Sequence, residues 1–129
     1  MAALLLLAAA PADTLDCATG DLPQQALNIC AAREADKADA ELNAQWRRTA
    51  EAMKLRDREI DRTYDKQPGH FETLLAAERA WLSFRDKHCL VASFEMRGGS
   101  AAPMIYGGCM ADLTRARTAQ LKALTETEN

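Results

Sequence analysis

The sequence predicts an all-α domain, a small antiparallel bundle of about three helices, the first of them long and bent, stapled by two disulfides. Three observations carry this. Val and Ile together number 4 against 26 Ala and 16 Leu, so little of the chain suits strands and much suits helices. Apolar residues recur at spacings of three and four in three separate stretches. Cysteines number four, an even set in a chain that opens on an apolar run. A length of 129 residues fits one domain. No internal repeat or low-complexity linker argues for a second. No run reaches the roughly 18 apolar residues that cross a bilayer. With 19 acids against 16 bases and a net charge of −3, no positive field exists for nucleic acid.

Residues 1–12, MAALLLLAAAPA, read as the apolar core and small-residue cleavage site of a secretory signal peptide, although no basic residues precede them. Cleavage after Ala12 leaves one domain over residues 13–129. Export places the chain in the periplasm or outside the cell, where disulfides persist. Cys17, Cys30, Cys89 and Cys109 allow three pairings. Cys17 lies in the loop CATGDLP, and Cys30 lies about two helical turns into the pattern that follows, roughly 10 Å along its axis. A fold-back of the loop joins them. Cys89 and Cys109 flank the turn RGGSAAP, which two antiparallel helices would leave with the sulfurs side by side. Geometry therefore favours Cys17–Cys30 and Cys89–Cys109, each contributing about 3 kcal/mol through loop closure. Metal ligation is the competing reading, because His88 adjoins Cys89 and His70 lies upstream. Yet the chain has no C-x2-C or H-x3–5-H pair, so no metal and no cofactor are expected.

The first helix is expected from about Pro23 to Lys66, with Asp21 as N-cap and Pro23 in the first turn. Leu42, Trp46, Thr49, Met53, Arg56, Ile60 and Tyr64 form its stripe, and Pro68-Gly69 ends it. A bend is expected within Arg33–Glu41, whose only apolar residues are alanines. Pairs such as Arg47 with Glu51 and Lys54 with Asp57 mark a solvated face. The second helix runs from about Glu72 to Arg97, with Leu74, Ala77, Trp81, Phe84, His88 and Val91 as its stripe and Gly98-Gly99 as its stop. Leu75, Leu82 and Cys89 widen that stripe. Trp81 and Phe84 are expected in the core against Leu42, Trp46 and Leu113, with His88 as a satisfied core histidine. The third helix runs from near Pro103 to about Thr125, its first turns weakened by Gly107-Gly108. Arg85 and Arg117 fall on inward faces and need acid partners, for which Asp39, Glu78 and Asp86 are the candidates.

Catalytic patterns are missing from the sequence. It has no G-x-S-x-G elbow, no P-loop and no H-E-x-x-H. Glu34, Asp36, Asp39 and Glu41 cluster, but at helical spacing they read as solvent-facing acids, and Ser83 and Ser100 have no placed histidine base. The chain reads as non-enzymatic.

Five ordered pieces then carry a family resemblance. They are C-x12-C from Cys17 to Cys30, AD-x2-LN at Ala38 to Asn43, and ERAWLSFRDKHC from Glu78 to Cys89. The GGS turn at Gly98–Ser100 and C-x3-LT-x2-R, with Cys109, Leu113, Thr114 and Arg117, complete the set. Together they resemble the LprI-type family of small exported proteins, whose name-giving member is a lysozyme inhibitor. Asp39, Leu42, Asn43, Trp81, Phe84, Arg85 and Arg117 are the motif positions. Ala35 stands where an aromatic often precedes AD-x2-LN, so lost packing is expected there; Trp46 stands where a tyrosine is more usual, without consequence for packing.

The resemblance implies an exported helical domain, with a lysozyme as candidate partner; the three amphipathic patterns and the even cysteine count predict a monomeric or weakly associating one. Common animal lysozymes are basic, so a net charge of −3 favours encounter slightly. Their cleft holds two carboxylates. The candidate contact is the turn Arg97, Gly98, Gly99 and Ser100, where Arg97 and Ser100 can donate to those acids. The plainer role of the two glycines is to end a helix at positive φ. Two other functions fit the same residues: a glycan- or peptidoglycan-binding module with Trp46 or Tyr106 stacked on sugar, and a structural envelope protein.

Overall fold

The computed structural model describes residues 14–126. Three α-helices make up the fold: α1 (Gln24–Glu59), α2 (His70–Ser93) and α3 (Ala102–Glu126), with a 3-10 turn at Phe94–Met96 after α2. The signal-peptide reading of residues 1–12 lies outside the described residues.

Helix α1 has no side-chain cap. Pro23, in extended backbone, occupies the N-cap position, and its carbonyl accepts from Leu27 N at 3.1 Å, so Asp21 is not the cap. The helix runs without a break through Arg33–Glu41. Alanines are the best helix formers, and here they also pack: Ala38 has no exposed surface. The helix stops at Glu59 rather than Lys66 because two aspartates turn the chain. Asp61 Oδ1 accepts from Thr63 N at 2.9 Å, and Asp65 Oδ1 accepts from Gln67 N at 2.8 Å. Tyr64 is consequently 94% exposed and belongs to no stripe.

Asp57, near the end of α1, caps α2. Its Oδ1 accepts from His70 N at 2.6 Å and its Oδ2 from Phe71 N at 3.0 Å. Those two amides start α2, whose own N-cap residue is Gly69 with no side chain to offer. Asp57 is therefore not the partner of Lys54, which reaches Glu51 at 3.6 Å instead.

α3 packs mainly along α1, and α2 lies against both. The core joins Leu42, Met53, Leu74 and Leu121, with Trp46, Phe71 and Trp81 against it. Thr49 is fully buried and donates to Leu121 O at 2.9 Å while accepting from Gln45 Nε2 at 3.1 Å. A polar chain thus crosses the α1–α3 interface with its hydrogen bonds made. Gly107, inside α3, sits where the two helices come close; a Cβ there would lie 2.9 Å from the Ala31 carbonyl carbon.

The buried face of α2 is Leu74, Glu78, Arg85, Cys89 and Ser93, with Trp81 half-buried among them. Phe84 is 55% exposed and Val91 64% exposed, so neither belongs to the core. His88 is exposed as well, and stacks on Phe84 with ring centroids 5.2 Å apart. Phe84 precedes Arg85 by one residue, about 100° around a helix. Arg85, with Asp39 and Asp86 as partners, and the disulfide-bonded Cys89 take the inward positions beside Phe84 and His88.

Both disulfides have the pairing that the spacing favours, Cys17–Cys30 and Cys89–Cys109. No helix among the described residues is long and apolar enough to cross a membrane.

Candidate functional site

Arg85 is the hub of the motif residues. Its Nη1 donates to Asp39 Oδ1 on α1 and to Thr114 Oγ1 on α3, each at 3.2 Å; its Nε reaches Asp86 at 3.0 Å. Its guanidinium also lies over the Trp81 ring, 5.1 Å from the centroid. Arg117 of α3 pairs with Glu78 of α2 through Nε and Oε2 at 2.9 Å. Both arginine side chains are nearly buried; Glu78 is buried too, so removing either partner of the Arg117–Glu78 pair costs several kcal/mol, whereas Asp39 and Asp86 meet Arg85 from the solvent side. These contacts tie the three helices together. Leu42 of the same motif is core, whereas Asn43 is exposed beside Asp39.

The Arg97–Ser100 turn lies at one end of the bundle. Gly98 has φ of +78°, a conformation that side chains rarely adopt. Gly99 N donates to Met96 O at 2.8 Å, and Arg97 N to Phe94 O at 3.0 Å. Asn28 of α1 reaches across to donate from Nδ2 to Ser100 O at 2.8 Å. With the Cys89–Cys109 bridge joining the flanking helices, the turn is held at its base and on its side. The Arg97 guanidinium rests 4.4 Å from the centre of the Phe94 ring, and the Arg97 and Ser100 side chains are both exposed. Leu90, Val91, Phe94 and Met96 are exposed apolar neighbours in sequence. Asn28 carries no sequence signal for its part in the turn, since 72 residues separate it from its acceptor.

Beside the turn opens a mostly apolar cleft of about 590 Å³. Ala35, Leu90, Pro103, Tyr106 and Met110 line it. Ala35, whose side chain is a single methyl group, forms part of its wall.

Among the expected solvent-facing acids, Glu34 pairs with Arg115 of α3 at 2.6 Å and with Lys37 at 3.4 Å. The Arg115 hydrogen bond is the main reason its carboxyl is held below the usual range. Among the described residues no group of three or more His, Cys, Asp and Glu is placed to hold a metal ion.

Fold and site together define a small disulfide-stapled helical domain that presents a braced, cationic turn above an apolar cleft. The chain belongs to the LprI family: the model described as lysozyme inhibitor LprI matches residues 16–121, which contain all four cysteines, every motif piece and the turn. It is also similar to an uncharacterized protein of Rhizobium meliloti (strain 1021), 45% identical over 127 residues that cover 95% of this chain and 91% of that protein. No solved structure matches it.

Proposed function

We propose that the protein is an exported, non-enzymatic, monomeric inhibitor of a lysozyme-type muramidase, and that it meets the enzyme through Arg97 and Ser100. The observation that carries this reading is the LprI match over residues 16–121. The braced turn supports it, because a loop already fixed in shape loses little conformational entropy on binding. Arg97 is a charge-assisted donor suited to the two carboxylates of a lysozyme cleft. Two disulfides among the described residues support an oxidising, periplasmic or extracellular setting.

Purified protein is expected to slow c-type lysozyme lysis of a peptidoglycan suspension at near-stoichiometric ratio, and to bind the enzyme directly in calorimetry. The effect weakens with salt, since exposed charges are screened beyond about 8–10 Å at physiological ionic strength. Replacing Arg97 and Ser100 together by Ala should weaken inhibition with the melting temperature unchanged, because both side chains lie outside the core. Unchanged lysis by c-, g- and i-type enzymes alike would overturn the inhibitor reading. Full inhibition by the double variant would overturn only the turn.

A further inference from the structure

Far from any role given to the turn, a second cleft of about 360 Å³ opens between α1 and α2. Its polar lining is Asp39, Asn43, Glu78, Arg79 and Arg85. Trp46, Leu75 and Leu82 supply its apolar wall. The geometry points to this cleft as a binding site for a short, neutral saccharide of the N-acetylhexosamine type.

Three features argue for it. The first is unused hydrogen-bonding capacity. Glu78 is 7% exposed, and only its Oε2 is engaged, by Arg117. Its Oε1 makes no hydrogen bond among the described residues, yet it is not sealed from solvent. Asn43 and Arg79 make no hydrogen bond or ion pair there either. A solvent-accessible carboxylate oxygen on a largely buried side chain, with an amide and a guanidinium that bond to nothing else among the described residues, gives one cleft both acceptors and donors. The second feature is charge. Two carboxylates and two guanidiniums line the cleft, so their charges cancel and the site favours a ligand rich in hydroxyl and amide groups over an ion. The third is the wall. A sugar ring offers C–H groups on one face and hydroxyls at its edge. Trp46 with two leucines receives such a face, as aromatic side chains with polar neighbours do.

Arg85 and Glu78 are held in place by Asp39, Asp86, Thr114 and Arg117, so the polar wall is rigid before any ligand arrives. This site does not depend on the inhibitor reading, and it lies on different residues from the turn.

The test is a titration of the whole protein with tri-N-acetylchitotriose, followed by tryptophan fluorescence and calorimetry, with a soluble muropeptide and maltotriose in parallel arms. Saturable binding of the acetylated sugar tighter than about 1 mM is expected. Replacing Asn43 and Arg79 together by Ala should weaken it at least about tenfold, the size of effect seen when hydrogen bonds to charged groups are lost. Circular dichroism of that variant should be unchanged, since neither side chain has a partner in the fold. The Arg97→Ala, Ser100→Ala protein should bind as well as wild type. Preference for the muropeptide over chitotriose would mark peptidoglycan as the source of the sugar, and the reverse would mark chitin. Absence of saturable binding to both acetylated ligands, equal binding of maltotriose, or full binding by the Asn43→Ala, Arg79→Ala variant would overturn the assignment.

Discussion

A Cβ on Gly107 would press within 2.9 Å of the Ala31 backbone, whereas one on Gly108 meets nothing within 4 Å. Both lie inside α3, where glycine is disfavoured by about 1 kcal/mol relative to alanine. Gly108→Ala should therefore stabilise the protein by about 0.5–1 kcal/mol in urea unfolding. Gly107→Ala gains the same helix propensity but must push α1 and α3 apart at a backbone contact. Overpacking of this kind costs about 1–3 kcal/mol, so the net change should be destabilising. Equal behaviour of the two variants would mean that α1 and α3 are not in close contact at Gly107.

Helices α1 and α2 are joined by an acid on one that caps the other. Backbone hydrogen bonds from Phe71 and then His70 hold the Asp57 carboxyl below its ordinary range, and His70 Nδ1 lies 3.0 Å from the same oxygen. A depressed folded value means that the contribution is present above the unfolded value of about 3.9 and is lost as pH falls through the folded one. Asp57→Ala should thus lower stability at neutral pH. Its gap to wild type should narrow steadily between about pH 5 and pH 2. Urea unfolding across that range checks this, and a gap that does not change with pH would refute the capping role. Helix α2 shows why such partnerships escape a one-dimensional reading. Leu74 and Trp81 stand on the face that apolar spacing assigns. Glu78 and Arg85 occupy the same face because Arg117 and Asp39 are waiting there, and Phe84 is rotated out.

For the molecule as a whole, the disulfides fix where the helix ends lie. Each closes a loop of modest length, 13 and 20 residues in sequence separation, and should contribute about 3 kcal/mol. Replacing Cys89 and Cys109 by Ala should lower stability by at least that amount, because Cys89 is also fully buried. The same change removes the brace of the Arg97–Ser100 turn. Inhibition should then fall more than in a Cys17→Ala, Cys30→Ala protein of matched stability. A thiol assay under denaturant should find no free cysteine in the wild type; two or more would refute the stapling.

Sequence alone determined the helical class and the three elements, and favoured the two disulfide pairings that the structure establishes, because helix propensity, three-four spacing and short loop closure are local properties. It also identified Arg85 and Arg117 as inward residues and named acids that could meet them. The LprI motifs were legible too, as ordered words around the cysteines. Tertiary structure decided what depends on neighbours distant in the chain. It assigned Asp57 to the start of α2, Asn28 to the turn carbonyl 72 residues away, and Gly107 to the backbone of Ala31. It also decided which face of α2 is inside, since a charged residue is tolerated in a core only where another element supplies its counter-charge. The same physics placed Glu78 in the wall of the α1–α2 cleft, where one oxygen of an inward acid is paired with Arg117.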